Sequence, residues 1–136
     1  VIPLNASNPT QAIEALVESL ETSGQLSDAK AVLGAILARE QTQSTGIGSG
    51  LAVPHGKSHG CTKLTMAVGK PTEPIDFNSP DGQPCNFVVL VASPFDETGP
   101  HIQALASVSR LWLTDSFRTA VKDADSRETL YQTFQL

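Results

Sequence analysis

Phe87-Val88-Val89-Leu90-Val91-Ala92 is the longest unbroken apolar run in the chain. It is far shorter than the roughly 20 residues that cross a bilayer, and it reads as a central strand covered on both faces. Upstream, Leu64, Met66 and Val68 alternate with Thr65 and Ala67, the period-2 signature of a half-buried strand. Asp81-Gly82 supplies a turn between the two. Further upstream, Leu51-Ala52-Val53 is a short strand set between loops, with Gly46, Gly48 and Gly50 before it and Pro54 after it.

Helical patterns surround these strands. Asn8, Pro9 and Gln11 mark a helix start with a capping side chain, an early proline and a capping-box Gln. Ile13, Leu16, Val17 and Leu20 follow at helical spacing and Gly24 stops the helix. A second helix is expected from Ser27 to near Arg39 and Glu40, with Val32, Leu33, Ile36 and Leu37 as its buried stripe. After Pro94 the spacing of Ile102, Leu105, Val108 and Trp112 predicts a third, with Pro100 near its start. Asp115 to Val121 reads as a fourth, and Asp125 with Glu128 as the capping box of a last one carrying Leu130, Tyr131 and Phe134. Helices before, between and after strands predict an α/β fold, a three-layer sandwich with a mixed β-sheet flanked by helices. No repeat or linker interrupts it, so residues 1–136 are expected to form one domain.

Hydrophobic residues at 40% exclude a disordered segment, and the net charge of -5 is the wrong sign for a phosphate-backbone binder. Nucleic acid is therefore not an expected partner, nor is direct membrane insertion. Cys61 and Cys85 lie outside any CxxC spacing, so a reducing, cytoplasmic location is expected. The chain opens on Val1 rather than Met, as if trimmed or cut from something longer.

Three chemical motifs fail on count. Gly46, Gly48 and Gly50 give GxGxG rather than GxGxxG, and Gly50 to Lys57-Ser58 is one residue too long for a phosphate-binding loop. Ser49 lacks the flanks of a nucleophile elbow. His55, His59, Cys61 and His101 offer zinc-type donors, but Pro54, Gly56 and Gly60 exclude the helix that a four-residue spacing would need. His59 reads as a solvated loop residue, Trp112 as helix-to-sheet core, and Cys85 as a buried thiol. The acidic loop from Pro94 to Gly99 is either simply solvated or the rim of a docking surface.

His55 remains, just after Pro54 in a glycine-flanked loop. Its bland reading is a hydrogen-bonded structural histidine. Its sharper reading is a nucleophile, because neutral imidazole accepts a phosphoryl group without a strong base, glycine amides can hold phosphoryl oxygens, and Arg39 is a natural bidentate partner.

Arg39-Glu40, Ser44-Thr45-Gly46-Ile47-Gly48 and Leu51-Ala52-Val53-Pro54-His55-Gly56 together resemble the signature of the type-2 enzyme IIA family of the bacterial phosphoenolpyruvate-dependent phosphotransferase system, with its fructose, mannitol and nitrogen-regulatory branches. The resemblance continues through Pro74-Ile75-Asp76-Phe77, Asp81-Gly82-Gln83-Pro84 and His101 to Leu105. It implies that His55 accepts a phosphoryl group from the phosphohistidine of HPr, or of the nitrogen-branch HPr-like protein. Arg39 and His101 fall at the places of the family's active-centre arginine and second histidine, and Thr45 in its loop, so all three are expected to stabilise the phosphoryl group. In the transport branches the group passes on to a IIB domain and then to sugar. The nitrogen branch instead controls a regulatory target protein through its phosphorylation state. Neither a metal nor a cofactor is called for, since the incoming group already sits on a reactive nitrogen.

Overall fold

The apolar run forms the centre of the sheet. In the computed structural model, which describes residues 4–126, it is strand β5 (Phe87–Ser93), every residue of which is buried. Strand β4 (Thr65–Gly69) pairs antiparallel along one edge of β5, from Thr65 opposite Ala92 to Gly69 opposite Val88. Along the other edge run two short strands, β2 (Leu51–Ala52) and β3 (His55–Lys57), both parallel to β5. Their registers, Leu51 opposite Phe87 and His55 opposite Val91, share one offset of 36 residues, so β2 and β3 are a single edge interrupted at Val53-Pro54. Proline has no N–H for the ladder, yet its carbonyl still accepts from Val91 N at 3.0 Å. The interruption costs pairing without slipping the register. Strand β1 (Gly46–Gly48) turns back antiparallel on β2 and completes the mixed sheet.

The stretches expected to be loops on both sides of Leu51 are thus partly strand. Gly46–Gly48 pairs with β2, and His55 opens β3 rather than lying in a loop. Short polar or glycine-rich strands have no period of their own, and only the neighbouring strand makes them strands. Gly48 (φ 100°), Ser49 (φ 56°) and Gly50 (φ 87°) make the β1–β2 turn in the left-handed region. A side chain at Gly50 would also strike Asn86, 2.7 Å from its Oδ1.

Helix α1 (Pro9–Thr22) is capped by Asn8, whose side chain accepts from Gln11 N at 2.8 Å. The capping box is not closed, because Gln11 Oε1 reaches back one residue further, to Ser7 N at 2.9 Å. Gly24 (φ 79°) ends this helix as expected, with its amide on Glu21 O. Helix α2 (Ala29–Thr42) begins two residues later than expected and ends further on than its apolar stripe suggests. Asp28 is its N-cap, and its last turn, polar and only partly exposed, is held by Arg39 Nη1 on Gln43 O at 2.8 Å. Helix α3 (Thr98–Trp112) and helix α4 (Asp115–Asp123) follow β5. Ile102, expected in the buried stripe of α3, is 60% exposed, and His101 takes the inward position with Leu105, Val108 and Trp112. Leu105, Val108 and Trp112 face inward as expected and only the first member of the stripe differs, because His101 has a buried hydrogen-bond partner that compensates the burial of its ring. The expected last helix, with Glu128, Leu130, Tyr131 and Phe134, lies outside the described residues.

Alternate residues of β5 feed two cores. Val88, Leu90 and Ala92 pack with Ile13, Leu16, Val32 and Ile36 of α1 and α2 on one face. Phe87, Val89 and Val91 pack with Val108, Trp112, Phe117 and Val121 of α3 and α4 on the other. Burying each large side chain contributes about 1.5–3 kcal/mol, so a strand apolar on both sides stabilises two helical layers at once. The three-layer α/β sandwich is the observed architecture. Trp112 stacks on Phe87 at 5.3 Å between ring centroids and donates Nε1–H to Ser49 O at 2.8 Å, tying α3 to the β1–β2 turn. Cys85 is fully buried and bridged to Ile75 at the entry to β5, and burial pushes its thiol pKa up. Among the described residues no helix is long and apolar enough to cross a membrane.

Candidate functional site

Two glycines seat β3 on α2. The Gly60 carbonyl accepts from Ser27 N at 2.8 Å and Asp28 N at 3.1 Å, and a Cβ there would lie 2.2 Å from Asp28 O. At Gly56 a Cβ would lie 3.1 Å from Ile36 Cγ1 and 3.2 Å from Ile36 N. The chain from Gly56 to Gly60 therefore runs antiparallel along α2, from its middle to its N-cap. His55, one residue earlier, is directed toward the last turn, which holds Arg39 and Glu40. Both charges act on the His55 ring, the Arg39 cation lowering its pKa and the Glu40 carboxylate raising it.

The largest effect on His55 is burial, which together with Arg39 outweighs the raising influences of Glu40 and the Val53 carbonyl, so the ring titrates below the ordinary imidazole value. It is neutral at pH 7. Its Nδ1 lies 2.7 Å from Val53 O, and a carbonyl can only accept, so Nδ1 carries the proton. Nε2 then holds the lone pair, with a half-buried ring fixed by its own strand. This is a nucleophilic nitrogen needing no base.

His101 comes from the opposite layer. The first turn of α3 brings its ring to 5.5 Å from that of His55, centroid to centroid. It is 5% exposed, and burial, then His55 and Lys57, lower its pKa. Its Nδ1 lies 2.6 Å from Ser93 Oγ at the end of β5. Lys57, two residues after His55 on the same face of β3, donates Nζ–H to Thr98 Oγ1 at 2.9 Å, so a cation stands at the start of α3. Thr45 is buried, and its hydroxyl and amide both bind Glu40, the amide at 2.9 Å from Oε2. Its carbonyl accepts from Val53 N at 3.0 Å, so Glu40, Thr45 and the segment leading to His55 form one bonded chain.

Of the expected site residues, His55, Arg39 and His101 are brought together, while the Thr45 hydroxyl is committed to Glu40. The zinc-type donors diverge. The His59 side chain is 76% exposed, 3.8 Å from Asp28, whereas Cys61 is buried with its thiol on Ser58 O. Among the described residues no group of three His, Cys, Asp or Glu side chains could hold a metal. Lys57, Ser93 and the bracing of Thr45 by Glu40 were not singled out from sequence. Lys57 could have been found from its i+2 spacing to His55, and Ser93 as the lone hydroxyl ending an apolar run.

The whole chain, residues 1–136, matches the family model of the phosphoenolpyruvate-dependent sugar phosphotransferase system, EIIA 2. The chain belongs to that family. The EIIA relatives include the fructose-specific EIIABC component of Bacillus subtilis, 34% identical over 87% of this chain but only 19% of that protein. The chain thus spans about a fifth of that relative's length. A nitrogen regulatory protein of Bradyrhizobium diazoefficiens is 31% identical over 98% of this chain and 86% of its own length. Among solved structures, nitrogen regulatory protein IIA-Ntr of Neisseria meningitidis superposes with a TM-score of 0.85 at 28% identity, covering 96% of this chain and 90% of that one. Proteins of the EIIA family are phosphotransfer components, and this EIIA chain has the same fold.

Proposed function

We propose that the chain is a phosphohistidine carrier that receives a phosphoryl group from the phosphohistidine of HPr, or its nitrogen-branch counterpart, on His55 Nε2. The observation that carries the reading is the 2.7 Å bond from His55 Nδ1–H to Val53 O, which leaves Nε2 unprotonated beside Arg39 and a second imidazole. In the transfer the Nε2 lone pair attacks phosphorus. The P–N bond to the donor imidazole breaks, and its electron pair returns to that ring. The positive charge arising on His55 resides at Nδ1–H, where the Val53 carbonyl stabilises it. Arg39 offers a planar fork for two phosphoryl oxygens, and His101 and Lys57 face the same anion from α3 and β3. Thr45 acts through Glu40, holding the end of α2 against the β1 segment. No step needs a metal or cofactor. Phe95 and Ile102, 64% and 60% exposed on either side of His101, support docking of a protein rather than a small molecule.

The onward acceptor is a IIB domain in a sugar-transport role, in line with a relative whose EIIA, B and C parts share one chain. The alternative is a regulatory target protein, favoured by the near full-length match to a nitrogen regulatory protein. The reading places the carrier in the cytoplasm as one domain of residues 1–136. Incubation with phosphoenolpyruvate, enzyme I and HPr is expected to place one acid-labile phosphoryl group on the protein, lost in His55→Ala and retained in His59→Ala. Undiminished labelling of His55→Ala would overturn the assignment.

A further inference from the structure

Ser93 is fully buried, so no solvent reaches its hydroxyl, and among the described residues the hydrogen-bond partner of Oγ is His101 Nδ1, at 2.6 Å. One proton lies between these two atoms, and either could own it. If the ring donated, the serine O–H would be a buried donor with no acceptor, an arrangement that folded proteins almost never keep. If the serine donates, its proton and the Nδ1 lone pair are both used, and the ring proton stands on Nε2. We infer that the two imidazoles of the site hold opposite tautomers, His55 with its proton on Nδ1 and His101 with its proton on Nε2, and that Ser93 is the positioning residue that sets the second.

The consequence rests on the phosphoryl-carrier reading. In a site with two neutral imidazoles 5.5 Å apart, a lone pair on both Nε2 atoms would make two competing nucleophiles. Opposite tautomers remove that degeneracy. His55 presents the only lone pair, and His101 presents an N–H that donates to the phosphoryl oxygens without itself being phosphorylated. The two backing groups are of opposite kind for this reason. Val53 O behind His55 can only accept, and Ser93 Oγ behind His101 is left to donate. The groups facing His101 are His55 and Lys57 on β3, and neither offers its ring a competing acceptor at Nδ1.

The test is long-range proton–nitrogen correlation spectroscopy of the imidazoles at a pH where both rings are neutral. The expected spectrum has unprotonated nitrogens at His55 Nε2 and His101 Nδ1. In Ser93→Ala the His101 ring is expected to become a mixture of tautomers while His55 keeps its own, and phosphoryl transfer to His55 to slow roughly two- to tenfold. A proton on His101 Nδ1 in the parent protein overturns the inference, and that spectrum decides the matter even if Ser93→Ala does not fold. A folded Ser93→Ala with parent tautomer and parent rate overturns it as well. Labelling that survives His55→Ala would instead remove the carrier reading and leave the tautomers standing, so the two failures are distinguishable.

Discussion

Gly56→Ala tests whether the seating of β3 on α2 is what places His55. The new methyl group would sit 3.1 Å from Ile36 Cγ1, 3.2 Å from Ile36 N and 3.3 Å from Ala35 C. The first contact can relax by a rotamer change, but the other two are helix backbone and can be relieved only by moving α2 or β3 by a few tenths of an ångström. Overpacking of this kind costs about 1–3 kcal/mol, from which about 0.4–1 kcal/mol is recovered because alanine restricts the unfolded chain. A net loss of about 1–2 kcal/mol is expected, or a fall in Tm of roughly 3–8 °C. The displaced element carries either His55 or Arg39, so phosphoryl transfer measured well below the transition is expected to slow as well. Gly34→Ala is the internal control. It lies in the same helix with nothing within 4 Å of the added Cβ, and is expected to gain about 0.5–1 kcal/mol with an unchanged rate. Thermal melts and single-turnover transfer on both variants supply the readings. A Gly56→Ala protein as stable and as fast as the parent would refute the close-approach argument.

Because burial holds both His55 and His101 below the ordinary imidazole value, the unfolded chain binds more protons than the folded one once pH falls below about 6.5. Stability is then expected to be level above that pH and to decline below it, and His55→Gln with His101→Gln should flatten the decline that begins there; an unchanged slope would contradict the burial argument. Arg39→Lys keeps the charge but loses the fork, and losing one charge-assisted bond of about 1.5 kcal/mol predicts transfer roughly tenfold slower with little change in melting. Rapid-quench rates check this, and a parent rate would remove Arg39 from the phosphoryl site. Trp112→Phe keeps the stack on Phe87 but loses the bond to Ser49 O, for an expected cost of about 1 kcal/mol in urea unfolding.

Much of the architecture was legible because it is written in near neighbours. Continuous apolarity from Phe87 to Ala92 requires cover on both faces, and the stripes at Ile13 to Leu20 and Val32 to Leu37 supply one of the covering layers. The signature from Arg39 to Gly56 identified the family, and the chain's match to the EIIA 2 model bears that out. His55 as a nucleophile was chemically arguable from residue type, but not distinguishable from a structural histidine until its neighbours were known.

Other features depend on which residues meet across the fold, and these the tertiary structure decided. Pro54 marks an end of pairing in any local reading, yet the constant register along β5 carries the edge past it and makes His55 a strand residue. Spacing favours His101, four, seven and eleven residues before Leu105, Val108 and Trp112, over Ile102, which is six before Val108, whereas apolarity favours Ile102; the hydroxyl of Ser93, eight residues away, made burial of the imidazole tolerable. The same holds for Gly56 against Ile36 and for Thr45 against Glu40. Periodicity reports the face a residue shares with its own element, whereas a tautomer, a close approach or a seated cation is set by the register between elements, which side chains distant in sequence determine only once the chain has folded.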